Sequence, residues 1–290
     1  MNDNYSWSRV PSKPEEQYDM PLATTSLQFR RKYPGNVDNV LDLTKKVKQL
    51  VEDATKPMLD QTCNNKQENL MHCLVSNTTG AFHLTRLNFS NLQMTDSTLS
   101  SFVQALVKAN LISSIIVLDI SYNKISQQGI AIIVNSFTGS ALKSLNVSGN
   151  CIYKQGAIQI ASALATSLVS LAMDMVDLDD EGGRDFFHQI AASQHMAIQH
   201  LSLSANSVSK MTVDALCLCK NLFANLTSLD LSLNALNDDC VDTLANIIEQ
   251  VPSLIVLNVS SNETRISQKR QDTINKINTS LEENINHRVF

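Results

Sequence analysis

The chain has 290 residues, 43% hydrophobic and 18% charged, a composition that can bury a substantial core and excludes a disordered chain. Its formal charge of −5 argues against non-specific nucleic-acid binding, which draws on a basic surface. No apolar run approaches the roughly 18–20 residues of a membrane span, so neither a nucleic-acid partner nor a membrane span is expected.

Residues 1–36 hold four of the six prolines and few aliphatic side chains, and read as an extended N-terminal arm. The opening "MNDNYSWSRVPSKPEEQ" has acids and prolines where a signal peptide needs a basic start and an apolar stretch. The expectation is therefore a cytoplasmic protein with reduced thiols, or one exported by a route that needs no such peptide. Next, Val40, Leu43, Val47 and Leu50 recur at helical spacing, and residues 66–76 offer a second, shorter helix. Residues 37–80 read as a helical N-terminal cap.

From residue 81 the pattern changes. Seven copies of L-x-x-L-x-L-x-x-N-x-L start at Leu84, Ile115, Leu142, Leu168, Ile198, Leu226 and Leu254, at steps of 26 to 31 residues. The second frame position is leucine in all seven: Leu87, Leu118, Leu145, Leu171, Leu201, Leu229 and Leu257. Around it apolar and polar residues alternate, as in a strand with one buried face. Beyond it, 129–137, 156–164 and 242–250 carry the apolar stripe of short helices. A strand and a helix cannot bury their apolar faces alone, so neighbouring units must stack into a solenoid. Residues 81–266 read as this array. Ile274, Ile277, Leu281 and Ile285 then mark a final, otherwise polar helix, a C-terminal cap over 267–290.

This frame resembles the leucine-rich repeat family, and a unit of about 28 residues resembles its ribonuclease-inhibitor-like subclass. The resemblance implies an α/β solenoid, or horseshoe, with a parallel concave sheet, convex helices and helical caps. It also implies that Asn123, Asn150, Asn206, Asn234 and Asn262 form a ladder bonding buried backbone groups. In the fourth unit Val176 stands where the ladder asparagine belongs.

In such an array the residues alternating with the frame leucines face outward from the sheet. The first row reads Arg86, Val117, Ser144, Ser170, His200, Ser228 and Val256. The second reads Asn88, Asp119, Asn146, Ala172, Ser202, Asp230 and Asn258. The third reads Ser90, Ser121, Ser148, Asp174, Ser204, Ser232 and Ser260, with Tyr122 beside it. This face lacks aromatic and arginine anchors. Seven strands present roughly 500 Å², short of the about 800 Å² per partner of a standard interface.

The fourth unit gathers Asp174, Asp177, Asp179, Asp180, Glu181 and Asp185 against Arg184 alone, and reads as an acidic docking edge with Phe186 and Phe187. Its order fails the calcium-loop pattern, and the six cysteines form no metal-ligand frame, so no metal and no cofactor are expected. Ser170, His200, Ser228 and Asp230 are ingredients of a nucleophile system, but an open sheet offers no oxyanion hole, and no enzyme is expected. The partner-binding candidates are Arg86, Asp119, Tyr122, Asp174, Asp177, Asp179, Asp180, Glu181, His200 and Asp230.

The resemblance implies a non-enzymatic scaffold for another protein, of unknown identity. The alternative is a regulator of a GTPase activator or actin-cap type, with Arg86 as the one strand-face arginine available as a finger. The asparagine- and serine-rich units and the ending "SLEENINHRVF" resemble bacterial type IV secreted effectors, which act on host proteins.

Overall fold

The computed structural model describes residues 25–28, 84–108, 110–192, 197–219 and 224–262. Each unit of the array contributes one short strand, because only two or three positions per unit alternate before the chain must turn. These are β2 (Leu84–Asn88), β3 (Val117–Asp119), β4 (Ser144–Asn146), β5 (Ser170–Ala172), β6 (His200–Ser202), β7 (Ser228–Asp230) and β8 (Val256–Asn258). Preceding them is β1 (Thr25–Gln28). All eight are parallel, in one sheet in chain order.

After the strands come α1 (Asp96–Lys108), α2 (Gln127–Phe137), α3 (Tyr153–Leu164), α4 (Asp179–Ala191), α5 (Lys210–Leu218) and α6 (Val241–Gln250). Leu87 pairs with Leu118, then Leu145, Leu171, Leu201, Leu229 and Leu257 in unbroken register. All are nearly inaccessible, as are Ile120, Val147, Met173, Leu203 and Leu231 at the third frame position. Each such burial contributes about 1.5–3 kcal/mol, and only because a neighbouring unit supplies the other wall.

Where the chain leaves each strand, its turn has backbone groups that no helix or sheet satisfies, and the frame asparagines supply the partners. Asn150 is 2% exposed; its Oδ1 accepts from Ile125 N at 3.0 Å, and its Nδ2 donates to Ile120 O and Val147 O. Asn123, Asn206, Asn234 and Asn262 do the same one unit apart. A buried amide is tolerable on these terms alone. At Val176 the rung is missing, and Ile152 N instead turns to Asn150 O within its own loop, at 3.0 Å.

The helices are tied to each other by a second device. At one frame position Asp96 and Asp180 reach across to the helix start of the next unit. Asp96 accepts from Ser126 N and Oγ, and Asp180 from Ser209 N and from Thr212 N and Oγ1. Gly129 is glycine for this reason: a Cβ there would run into the Asp96 carboxylate.

The caps expected at 37–80 and 267–290 lie outside the described residues. Within the segment read as an arm, residues 25–28 extend the sheet, with Leu27 in register with Leu87 and Gln28 with Asn88. The open edge of β2 presents unpaired backbone groups, which a short extended stretch can satisfy.

Candidate docking surface

Two polar surfaces flank the core, and the structure treats them differently. On the concave face, Asn88, Asp119, Asn146, Asp230 and Asn258 each accept a hydrogen bond from the backbone N–H two residues on, at 2.8 to 3.1 Å. Short side chains of this kind close turns on themselves. Ala172 has no such group, so Asp174 N donates to Ser148 Oγ instead. Asp174 in turn accepts from Ser204 N at 2.9 Å and Ser202 Oγ at 2.5 Å. Three serines of the third row, read from sequence as facing outward, are buried: Ser121, Ser148 and Ser232 are 2%, 3% and 6% exposed, while Ser90, Ser204 and Ser260 are half-buried. The chain is already turning there, which rotates the row into the fold.

The expected candidates on this face are therefore occupied. Asp119 holds Ser121; Asp230 holds Ser232 through Oδ1 and takes a bond from Asn258 Nδ2 through Oδ2. Burial, with help from the charge of Asp230, raises the carboxyl pKa of Asp174 despite its hydrogen bonds. His200 is half-buried, which lowers its pKa, and its Nδ1 lies 3.4 Å from Thr227 Oγ1. Since Asp230 is turned to Ser232 and Asn258, the ingredients of a nucleophile relay are not joined. Arg86 is half-buried on β2, between Ser26 and Val117 in register.

The acidic candidates of the fourth unit divide. Asp177 and Asp179 are exposed, and Asp179 also accepts from Gly182 N at 2.7 Å, closing the first turn of α4. Glu181 is exposed and pairs with Lys154 at 3.4 Å. Asp180 is not a free docking group. Burial opposes its charge, but the bonds from Ser209 and Thr212 outweigh it and hold the carboxyl below its ordinary range. Phe186 and Phe187 are fully buried, edge to face at 5.1 Å, so they belong to the core and not to an exposed edge. Among the described residues no three His, Cys, Asp or Glu side chains group as metal ligands.

A row of side chains on the loop edge escapes the sequence reading. Seven residues after each frame start, the backbone adopts a left-handed conformation: Asn91, Tyr122, Gly149, Met175, Ala205, Leu233 and Ser261 have φ between 50° and 67°. Their spacing is set by the sheet, whose bonding continues past the named strands. Tyr122 N donates to Ser148 O, Gly149 N to Asp174 O, Met175 N to Ser204 O, Ala205 N to Ser232 O and Leu233 N to Ser260 O, at 2.7 to 3.0 Å. Bulky side chains are disfavoured at such φ, yet Tyr122, Met175 and Leu233 occupy these positions and stand 51%, 46% and 58% exposed. Of these, sequence reasoning singled out Tyr122 alone. The usable signal was the fixed offset from the frame, not the residue type.

Strand–helix units stacked on one parallel sheet, with a buried asparagine ladder, define a solenoid repeat protein. Residues 141–161 and 224–245 match the family model described as Leucine Rich repeat. The chain is a leucine-rich repeat protein. It is similar to an internalin from Listeria monocytogenes, with a TM-score of 0.42 and 16% identity, covering 69% of this chain and 61% of that one. It is also similar to LegL7, a leucine-rich repeat-containing protein of Legionella pneumophila (TM-score 0.37, 15% identity, 90% and 98% covered). A third similar structure is the yeast Rad7 and Elc1 complex (TM-score 0.38, 15% identity, 64% and 65% covered). This chain thus spans less than two thirds of the internalin chain and of the yeast chain. No curated protein matches it significantly. Among the described residues no helix is long and apolar enough to cross a membrane.

Proposed function

We propose that the chain is a non-enzymatic scaffold that binds another protein along the loop edge of its sheet. The fold is one that generally mediates protein–protein interaction. The observation that carries the reading is the row Tyr122, Met175 and Leu233, exposed at one frame position with Asp177 and Asp179 exposed beside its middle member. Apolar side chains gathered in a row and rimmed by charge are the usual mark of an interaction surface. The concave sheet, with its carboxylates already bonded, adds shape and little else.

The exposed acids call for a basic partner, so binding should weaken as salt screens them. Affinity capture from eukaryotic lysate tests the reading, with Asp177→Asn/Asp179→Asn, which removes the charge and keeps an oxygen for Gly182 N, compared against Asp119→Asn/Asp230→Asn. Loss of a stoichiometric partner in the first variant supports the loop edge. Loss in the second with none in the first moves recognition to the concave sheet.

The helix after each of β2 to β7 and the length of the units support assignment to the ribonuclease-inhibitor-like subclass. The composition of the units and of "SLEENINHRVF" supports a setting in which this scaffold is exported to act on a host protein. A translocation reporter fused to the chain, with and without 267–290, tests that setting.

A further inference from the structure

We infer that the loop edge is the seat of a single basic amphipathic helix of the partner, lying along the solenoid with its apolar stripe on Tyr122, Met175 and Leu233. This rests on the reading that the loop edge binds a protein, and adds what kind of segment it takes. Along the row, bulky and small residues alternate from unit to unit: Tyr122, Gly149, Met175, Ala205, Leu233. The backbone bonds between successive members fix one sheet step per unit, so the bulky members recur at about 9.6 Å. The whole row spans about 19 Å by the same step.

That period selects among peptide shapes. An extended strand repeats a face every two residues, about 6.7 Å, and falls out of step within one knob. An α-helix repeats a face every seven residues, about 10.5 Å, so positions i, i+7 and i+14 span about 21 Å against the whole row. A polyproline helix repeats every three residues, about 9.3 Å, and also fits the spacing. The chemistry of the knobs separates these two. Polyproline segments dock on aromatic-lined grooves, whereas amphipathic helices dock on aliphatic and methionine surfaces. Two of the three knobs are Met175 and Leu233, and the ring of Tyr122 lies over Gly149.

Charge decides the helix's other face. Asp177 and Asp179 follow Met175 by two and four residues, both exposed, and Glu181 is exposed beyond them. A helix resting on Met175 would turn the residues beside its apolar stripe toward these carboxylates, where Lys or Arg is favoured.

The ridge can be removed without disturbing the fold, because Asn91 shows what the position tolerates: asparagine at φ 58°. Tyr122→Asn/Met175→Asn/Leu233→Asn should fold with an unchanged or higher melting temperature. The test selects binders to the whole wild-type chain from a displayed library of random peptides of about 18 residues, long enough for i to i+14. Expected are binders with apolar residues at seven-residue spacing and flanking Lys or Arg, which gain helical circular dichroism on binding. They should lose at least about tenfold in affinity for the triple variant, and the same on introduction of a central proline. Ridge-dependent binders that are proline-rich at three-residue spacing would overturn the helix while leaving the loop edge as the docking surface. Binders that hold the triple variant undiminished and lose Asp119→Asn/Asp230→Asn would overturn both. A selection that enriches no ridge-dependent binder also overturns the inference.

Discussion

The concave face and the loop edge are built from the same units, a few residues apart in each, and put them to opposite uses. On the concave face Asp119, Asp174 and Asp230 take their bonds from neighbouring serines and backbone groups, and the serines beside them sink into the fold. On the loop edge Tyr122, Met175 and Leu233 stand in solvent on backbone that disfavours them. A polar surface that looks ready for a ligand can be fully engaged in holding turns together. Function is better sought where the chain accepts a local penalty that its own stability does not require.

The comparison breaks most sharply at the ladder. Asn150→Leu leaves Ile125 N and Val147 O without their partner, at about 1–3 kcal/mol for each group, and leaves Ile120 O to Asn123 Nδ2 alone, the largest loss expected of any single change here. Chemical denaturation reads it. Asn146→Leu removes one half-buried bond, to Ser148 N, and should cost about 1 kcal/mol. Equal losses would put the register assigned to the two faces in error.

Next in size is the pair of adjacent acids in α4. Asp180→Ala removes a cap on α5 and should cost about 1–2 kcal/mol at neutral pH, whereas Asp179→Asn, which keeps an oxygen for Gly182 N, should alter stability little and binding more. Because the folded Asp180 carboxyl sits below its ordinary value of 3.8, its contribution is present above that value and is lost as pH falls through the folded one. The gap between wild type and Asp180→Ala should therefore close only in strong acid, as thermal melts across pH would show.

Asp174 runs the other way. Its folded pKa is raised above 3.8, so its contribution is present below that value and lost as pH rises through the folded one. Asp174→Asn keeps an oxygen for Ser204 N and Ser202 Oγ and carries no buried charge. It should melt at or above wild type at neutral pH, with the difference vanishing as pH falls toward 3.8. The smallest effect belongs to the ridge, where Met175→Asn alone should change stability by no more than about 1 kcal/mol, in the stabilising direction. A clear destabilisation there would mean that Met175 belongs to the core.

Much of this molecule was legible because burial repeats itself. Leucine at the second frame position has one environment in every unit, and the ladder asparagines have one set of partners, so side-chain type alone exposes both. The turn-closing role of Asp119 or Asn146 was not legible, since a carboxylate or amide facing out of a sheet suits a ligand as well as its own backbone. The ridge was hidden for a different reason. Its seven members share a backbone conformation and no side-chain character, from Gly149 to Tyr122. The strand at Thr25–Gln28 shares only Leu27 with the second frame position and lies far from the array in sequence, so pattern did not attach it to the sheet.

The repeats differ in length by up to five residues, yet the backbone bonds from Asn91 to Leu233 keep one step per unit. Extra residues are thus diverted to the helical side, and the pitch of the ridge is insulated from them. Insertions and deletions between a helix and the following strand can accumulate without detuning recognition. Substitution at a single position per unit is then enough to rewrite what the edge binds.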